Sequence, residues 1–249
     1  MAMGAADVVP GVSGGTIAFI SGIYEELIES LNNINLSIFT QLRSKGVKHT
    51  WETINGSFLL ALMCGIFISV FSLVRVVEWL LEQHPILLWA FFFGLVAASI
   101  IYIGKQIKIN LWNLEGIKMF LAITIGGIVA YIITTINPVA SSNSNLFLFF
   151  AGAFAICAMI LPGISGAFIL VIIGAYGPVL EAISNRDLKT ILIIGAGAIV
   201  GLLSFSKLLK WLFKYYNQLT LAVLTGFMIG SLNKIWPWKV VLTYRTNSK

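Results

Sequence analysis

Apolar residues in this chain come in long blocks broken by short polar islands. They do not follow the two-residue alternation of a half-buried strand or the stripe of a soluble helix. Residues 57–82, 86–104, 117–136, 190–214 and 218–236 each form a run of about 18 or more apolar positions, the length that crosses a bilayer as one helix. Pro85 stands at the head of the second run, where a proline suits the first helical turn, and Asn137-Pro138 closes the third. Residues 146–183 differ. At 1.5 Å per residue they would reach about 57 Å, too long for one crossing, and Pro162-Gly163 divides them. The pattern predicts a hairpin of two helices there, the second limb restarting near Gly166 and running to about Ile183. Residues 1–30 read as a shortened copy, with its helix restarting near Gly14 and running to about Ser30. The expected fold is all-α: one polytopic membrane domain over residues 1–249.

The two hairpins carry nearly the same words. Pro10-Gly11-Val12-Ser13-Gly14-Gly15 recurs 152 residues later as Pro162-Gly163-Ile164-Ser165-Gly166-Ala167. At that offset Gly22 meets Gly174, Tyr24 meets Tyr176 and Glu29 meets Glu181. Farther on the offset becomes 132, because the segment 31–56 is longer than its counterpart 184–189. There Gly65 pairs with Gly197, Ser72 with Ser204, Arg75 with Lys207, Trp79 with Trp211 and Gly94 with Gly226. These matches predict two repeats, about 1–136 and about 146–249, each opening with a Pro-Gly-broken, re-entrant hairpin. Three crossings lie between the two motifs, so the second repeat is expected to be inverted. The partner of span 117–136 has no counterpart before residue 249, and the first hairpin limb is thin. Both suggest a chain trimmed at its ends.

Composition explains why lipid is the solvent. The chain is 58% hydrophobic and only 10% charged, with a mean hydropathy of +0.94, far more apolar surface than one soluble core can hide. The net charge of +6 orients the chain and favours anionic head groups, and it implies no nucleic acid. Arg43, Lys45, Lys48, Lys105, Lys108, Lys118, Lys210 and Lys214 flank one side. Arg186, Lys189, Lys234, Lys239, Arg245 and Lys249 flank the other, so the first side is expected to be cytoplasmic. Cys64 and Cys157 lack disulfide or metal spacing, and His49 and His84 have no ligand neighbours. No metal or cofactor is expected.

The duplicated motif has a direct chemistry. Pro10 and Pro162 lack an N–H and break the helix, while Gly11 and Gly163 permit a tight turn. Ser13 and Ser165 then stand at N-cap positions, followed by Gly14, Gly15 and Thr16 in one half and by Gly166 in the other. The first N–H groups of a helix have no intrahelical partner and carry positive partial charge, so a phosphate or carboxylate is their natural guest. Irregular backbone at membrane depth must be shielded by protein or line a cavity. Breaks at matching places in two halves point to a substrate site. Arg75 and Lys207 are the second candidate constellation, cations deep in their spans and suited to drawing a lipid phosphate to each face. Asp7, the acid beside the first motif, is a candidate for capping or for coupling; its counterpart at offset 152 is Met159.

At these residues a resemblance becomes specific. Ala5-Ala6-Asp7-Val8-Val9-Pro10-Gly11-Val12-Ser13-Gly14-Gly15-Thr16 with Gly22-Ile23-Tyr24, and Leu161-Pro162-Gly163-Ile164-Ser165-Gly166 with Gly174-Ala175-Tyr176, resemble the two signatures of the bacterial polyprenyl-phosphate transporter family (PopT). The likeness covers most of the chain. It implies a multi-pass protein of the bacterial cytoplasmic membrane that returns undecaprenyl phosphate from the outer to the inner leaflet, for reuse in peptidoglycan and other envelope glycans. The residues alone imply an anion, with two other classes left open. A transporter or channel for a small soluble anion would use the same helix ends. An intramembrane phosphatase would need an activated nucleophile, and neither Ser13 nor Ser165 has a histidine nearby in sequence.

Overall fold

A computed structural model describes residues 1–8, 12–35, 37–107, 113–136 and 144–238. Pro10 and Gly11, Lys108, Pro138 and the basic residues Lys239, Arg245 and Lys249 lie outside them. Eleven helices run through the described residues. The first hairpin region holds α1 (Ala2–Val8), α2 (Gly14–Ile20) and α3 (Tyr24–Asn33), and the largely exposed α4 (Ser37–Thr53) follows. The expected spans then appear as α5 (Gly56–Gln83), α6 (Pro85–Gly104) and α7 (Leu114–Thr135). The second hairpin region holds α8 (Asn145–Ile160), α9 (Gly166–Ile172) and α10 (Tyr176–Ser184). The chain continues into α11 (Leu188–Ser231).

Four helices are long and apolar enough to cross a bilayer, or five if the bent pair α9–α10 counts as one span. The 44 residues of α11 would reach about 66 Å if straight, roughly twice the hydrocarbon thickness. Tyr216 (φ −135°, ψ 43°) breaks that run into two arms, which correspond to the expected spans at 190–214 and 218–236. The first arm packs on α8 and the second on α7. At the α7 contact Gly126 faces the Val223 carbonyl and Gly226 faces that of Ile123, and small residues let the backbones approach. Asp187 caps α11 by accepting from the Thr190 N–H (3.3 Å), and that hydrogen-bonded threonine holds its carboxyl below the usual carboxylate range. The outward faces are greasy: Phe71 is 79% exposed, with Phe91, Ile125 and Leu192 also exposed, as lipid-facing residues should be.

One expectation is corrected. The second limb of each hairpin is not a single helix to Ser30 or Ile183. It stops at Ile20 and Ile172, turns, and starts again at Tyr24 and Tyr176, with a bend of 110° between α9 and α10. The cause is Gly22 and Gly174, at φ +74° and +75°. Ile23 N–H donates to Ala18 O (3.1 Å) and Gly22 N–H to Phe19 O (3.3 Å); Ala175 N–H donates to Leu170 O (2.8 Å) and Gly174 N–H to Val171 O (3.1 Å). These paired bonds are the C-terminal stop that a left-handed residue after a helix produces. So α2 and α9 match residue for residue at the offset of 152, stop included. The same helix pairs also touch in the two regions, out of register by about one turn: Gly4 of α1 lies against Ile66 of α5, and Gly152 of α8 lies against Ile194 of α11.

The first hairpin region sits in the main apolar core. Ala6, Val12, Ala18, Tyr24 and Ile28 are buried there with Phe92 and Val96 of α6 and Leu209 and Met228 of α11. Tyr24 packs edge-on against Phe19 and Phe213. Asn32 Nδ2 donates to the Ser206 carbonyl (2.6 Å), pinning the end of α3 to α11.

Candidate functional site

The two motifs meet. Thr16 Oγ1 accepts a hydrogen bond from Gly163 N–H at 2.8 Å, across 147 residues of sequence. The Ser13 hydroxyl lies 3.0 Å from the Met159 carbonyl and 3.2 Å from that of Leu161, and donates between them. Ser13 and Thr16 are each only 1% exposed, and Pro162 and Gly163 are buried too. Gly15 packs directly on the backbone of Met159 and Ile160. Gly163 takes φ +92°, and its α-carbon faces Ser231 and the Phe227 carbonyl of α11. Proline and glycine therefore do here what their chemistry allows: one ends α8, the other turns the chain within contact distance of a neighbouring helix.

The two breaks differ electrostatically. At the first, the donors are already taken. Gly14 N–H bonds to Asp7 Oδ1 (2.7 Å), Gly15 N–H to Ser13 Oγ (3.1 Å) and Thr16 N–H to the Ser13 carbonyl (3.0 Å). Asp7 is thus a built-in anion at the start of α2, and its Oδ2 is buried with no hydrogen-bond partner. At the second break Ser165 makes no side-chain cap. Gly166 is buried as Gly14 is, but Ser165 is part-buried and Ala167 exposed where Ser13 and Gly15 are buried, so this break has the more open face.

The cation beside the open face is one that pairing the repeats did not single out. Lys234, in the turn after α11, sets its Nζ 3.9 Å above the Phe168 ring of α9. Three residues earlier, Ser231 packs on Gly163. Matching the halves hides Lys234, because its counterpart at offset 132 is Tyr102. Arg75 and Lys207 lie elsewhere. Both are exposed on α5 and α11, and neither belongs to the two ion pairs found among the described residues, Lys118–Glu115 and Lys210–Glu29.

A multi-pass helical membrane protein whose core holds two interlocked helix breaks has the build of a secondary transporter. Comparison with known proteins makes the class particular. The chain belongs to the undecaprenyl phosphate translocase-like family, which matches residues 3–249; it stands with translocases, not enzymes. It is similar to the polyprenyl-phosphate transporter of Vibrio cholerae serotype O1, 48% identical over 248 residues, which cover 100% of this chain and 79% of that protein. It is also similar to the polyprenyl-phosphate transporter of Staphylococcus aureus, 32% identical over 252 residues, covering 95% of this chain and 83% of that one. No solved structure matches it.

Proposed function

We propose that this protein transports undecaprenyl phosphate across the bacterial cytoplasmic membrane, from the outer to the inner leaflet, holding the phosphate at its paired helix breaks. Family membership and the names of the relatives support the substrate. The observation that carries the site is the hydrogen bond from Gly163 N–H to Thr16 Oγ1, which joins the two motifs. In this packing the protein's own oxygens occupy the donors that a phosphate would take: Thr16 Oγ1 on Gly163 N–H, and the Met159 and Leu161 carbonyls on the Ser13 hydroxyl. A buried hydrogen bond contributes about 1 kcal/mol net. Exchanging these few bonds for charge-assisted ones to phosphate, about twice as strong, opens the breaks at small cost. Pro10, Gly11, Pro162 and Gly163 supply the break; Ser13, Gly14, Gly15, Thr16, Ser165 and Gly166 supply donors.

The matched stops at Gly22 and Gly174 support two repeats opened by re-entrant hairpins, one inverted relative to the other. Rocking of one repeat against the other would then present the site to each leaflet in turn. Exposed Arg75 and Lys207 are the cations that draw lipid phosphate to the two faces. Asp7, with one unsatisfied carboxylate oxygen against Gly14, is the candidate coupling group. The test is a leaflet-resolved assay of undecaprenyl phosphate in proteoliposomes. Ser13→Ala with Ser165→Ala, and separately Arg75→Ala, should slow translocation while the protein still inserts and folds. Wild-type rates in well-folded variants would remove these residues from the site.

A further inference from the structure

Resting on the polyprenyl-phosphate reading, we infer that Lys234 is the phosphate-binding cation and that the lipid-facing groove between α7 and the second arm of α11 holds the prenyl chain. The turn 231–234 links the two. Ser231 packs on Gly163 of the second break. Asn233 Oδ1 accepts from Thr134 Oγ1 at 3.0 Å, tying the turn to the end of α7. Lys234 then sets its ammonium over Phe168 at 3.9 Å, on the short helix that part-buried Ser165 opens. A ring face holds an ammonium modestly, whereas a phosphate in a partly dry site holds it strongly, so Phe168 parks the charge without using it up.

The groove reaches the residue next to Lys234 in the chain. Asn233 lines a cleft of about 430 Å³ with Ile123, Thr124, Gly127, Ile128 and Ile229. It also lines a second cleft, of about 520 Å³, with Phe93, Leu232 and Trp236. Both are mostly apolar and open to the protein surface. Glycine keeps the first cleft shallow-walled: a Cβ at Gly127 would meet only the Gly226 carbonyl, at 3.5 Å. A branched isoprenoid chain suits such a surface because its methyls fill gaps between isoleucines while the rest stays in lipid. One molecule with a phosphate at Lys234 and its chain along α7 satisfies both halves of the geometry. A free phosphate would satisfy only the first.

The test measures binding to the full chain in nanodiscs, with labelled undecaprenyl phosphate as probe and undecaprenol and inorganic phosphate as competitors. Lys234→Gln should weaken undecaprenyl phosphate binding by about tenfold or more and Lys234→Arg by no more than about threefold, because the guanidinium keeps a charge-assisted bond. Thr124→Trp fills the cleft from an exposed position. It should weaken undecaprenyl phosphate binding by about fivefold, the scale of about one lost buried methylene, and leave competition by inorganic phosphate unchanged. Binding within about twofold of wild type for Lys234→Gln and Thr124→Trp overturns the inference. If the Ser13/Ser165 double variant loses binding while those two keep it, the transport reading stands and the Lys234 assignment falls. If wild-type protein does not prefer undecaprenyl phosphate to undecaprenol, both fall.

Discussion

Replacing Gly15 by alanine probes the meeting of the two motifs with a single methyl group. A Cβ there would stand 2.9 Å from the Met159 carbonyl oxygen and nearer still to that of Ile160. Ordinary contact begins near 3.4 Å, so the facing backbone must retreat by at least about 0.5 Å. Neither neighbour is a side-chain tip that can swing away. Overpacking of this kind costs about 1–3 kcal/mol. The retreat also stretches the Ser13 bonds to Met159 and Leu161 and the Gly163 bond to Thr16, each worth about 1 kcal/mol. Together the loss is about 2–5 kcal/mol. Gly94→Ala is the control: its Cβ would meet nothing within 4 Å, and alanine in a helix interior gains about 1 kcal/mol over glycine. Thermal unfolding in detergent, followed by loss of the monodisperse species, reads the difference. Gly15→Ala should melt at least several degrees below wild type and Gly94→Ala at or above it. Equal melting temperatures for the two variants would refute the contact between the breaks.

Two further outcomes follow from buried polar groups. Thr16→Val removes the acceptor of Gly163 N–H and leaves a buried donor unsatisfied, costing about 1–3 kcal/mol, whereas Thr16→Ser should recover most of it in the same melting assay. Tyr24 is 2% exposed and its hydroxyl has no partner, so Tyr24→Phe should be neutral or stabilising by up to about 1 kcal/mol. A clear drop in melting temperature would mean that the hydroxyl bonds to something in the membrane-embedded protein.

The second helix break was legible before any coordinates. Pro162-Gly163 announced its own break, because proline cannot donate and glycine tolerates φ +92°. The stops at Gly22 and Gly174 were visible as matched glycines, yet their consequence was not. A glycine in an apolar run reads equally as close packing, and only the left-handed backbone converts it into a stop. Lys234 was visible only as one flank charge among six on its side. What sets it apart is the ring of Phe168, 66 residues earlier in the chain.

Sequence alone determined the solvent, the helical class and the break at Pro162-Gly163. Each is written in local chemistry: unbroken apolar length, proline's missing hydrogen, the conformational reach of glycine. Tertiary structure decided which donors are spent and which remain. Asp7 takes the first N–H of α2, Ser13 reaches across to α8 instead of waiting for a ligand, and Ser165 is left uncapped on a helix whose Phe168 carries a lysine from the turn after α11. Two motifs nearly identical in letters thereby become unlike in charge. Asp7 is a local partner of α2, but the Ser13 and Gly163 bonds reach across 146 to 148 residues, and no local pattern encodes those.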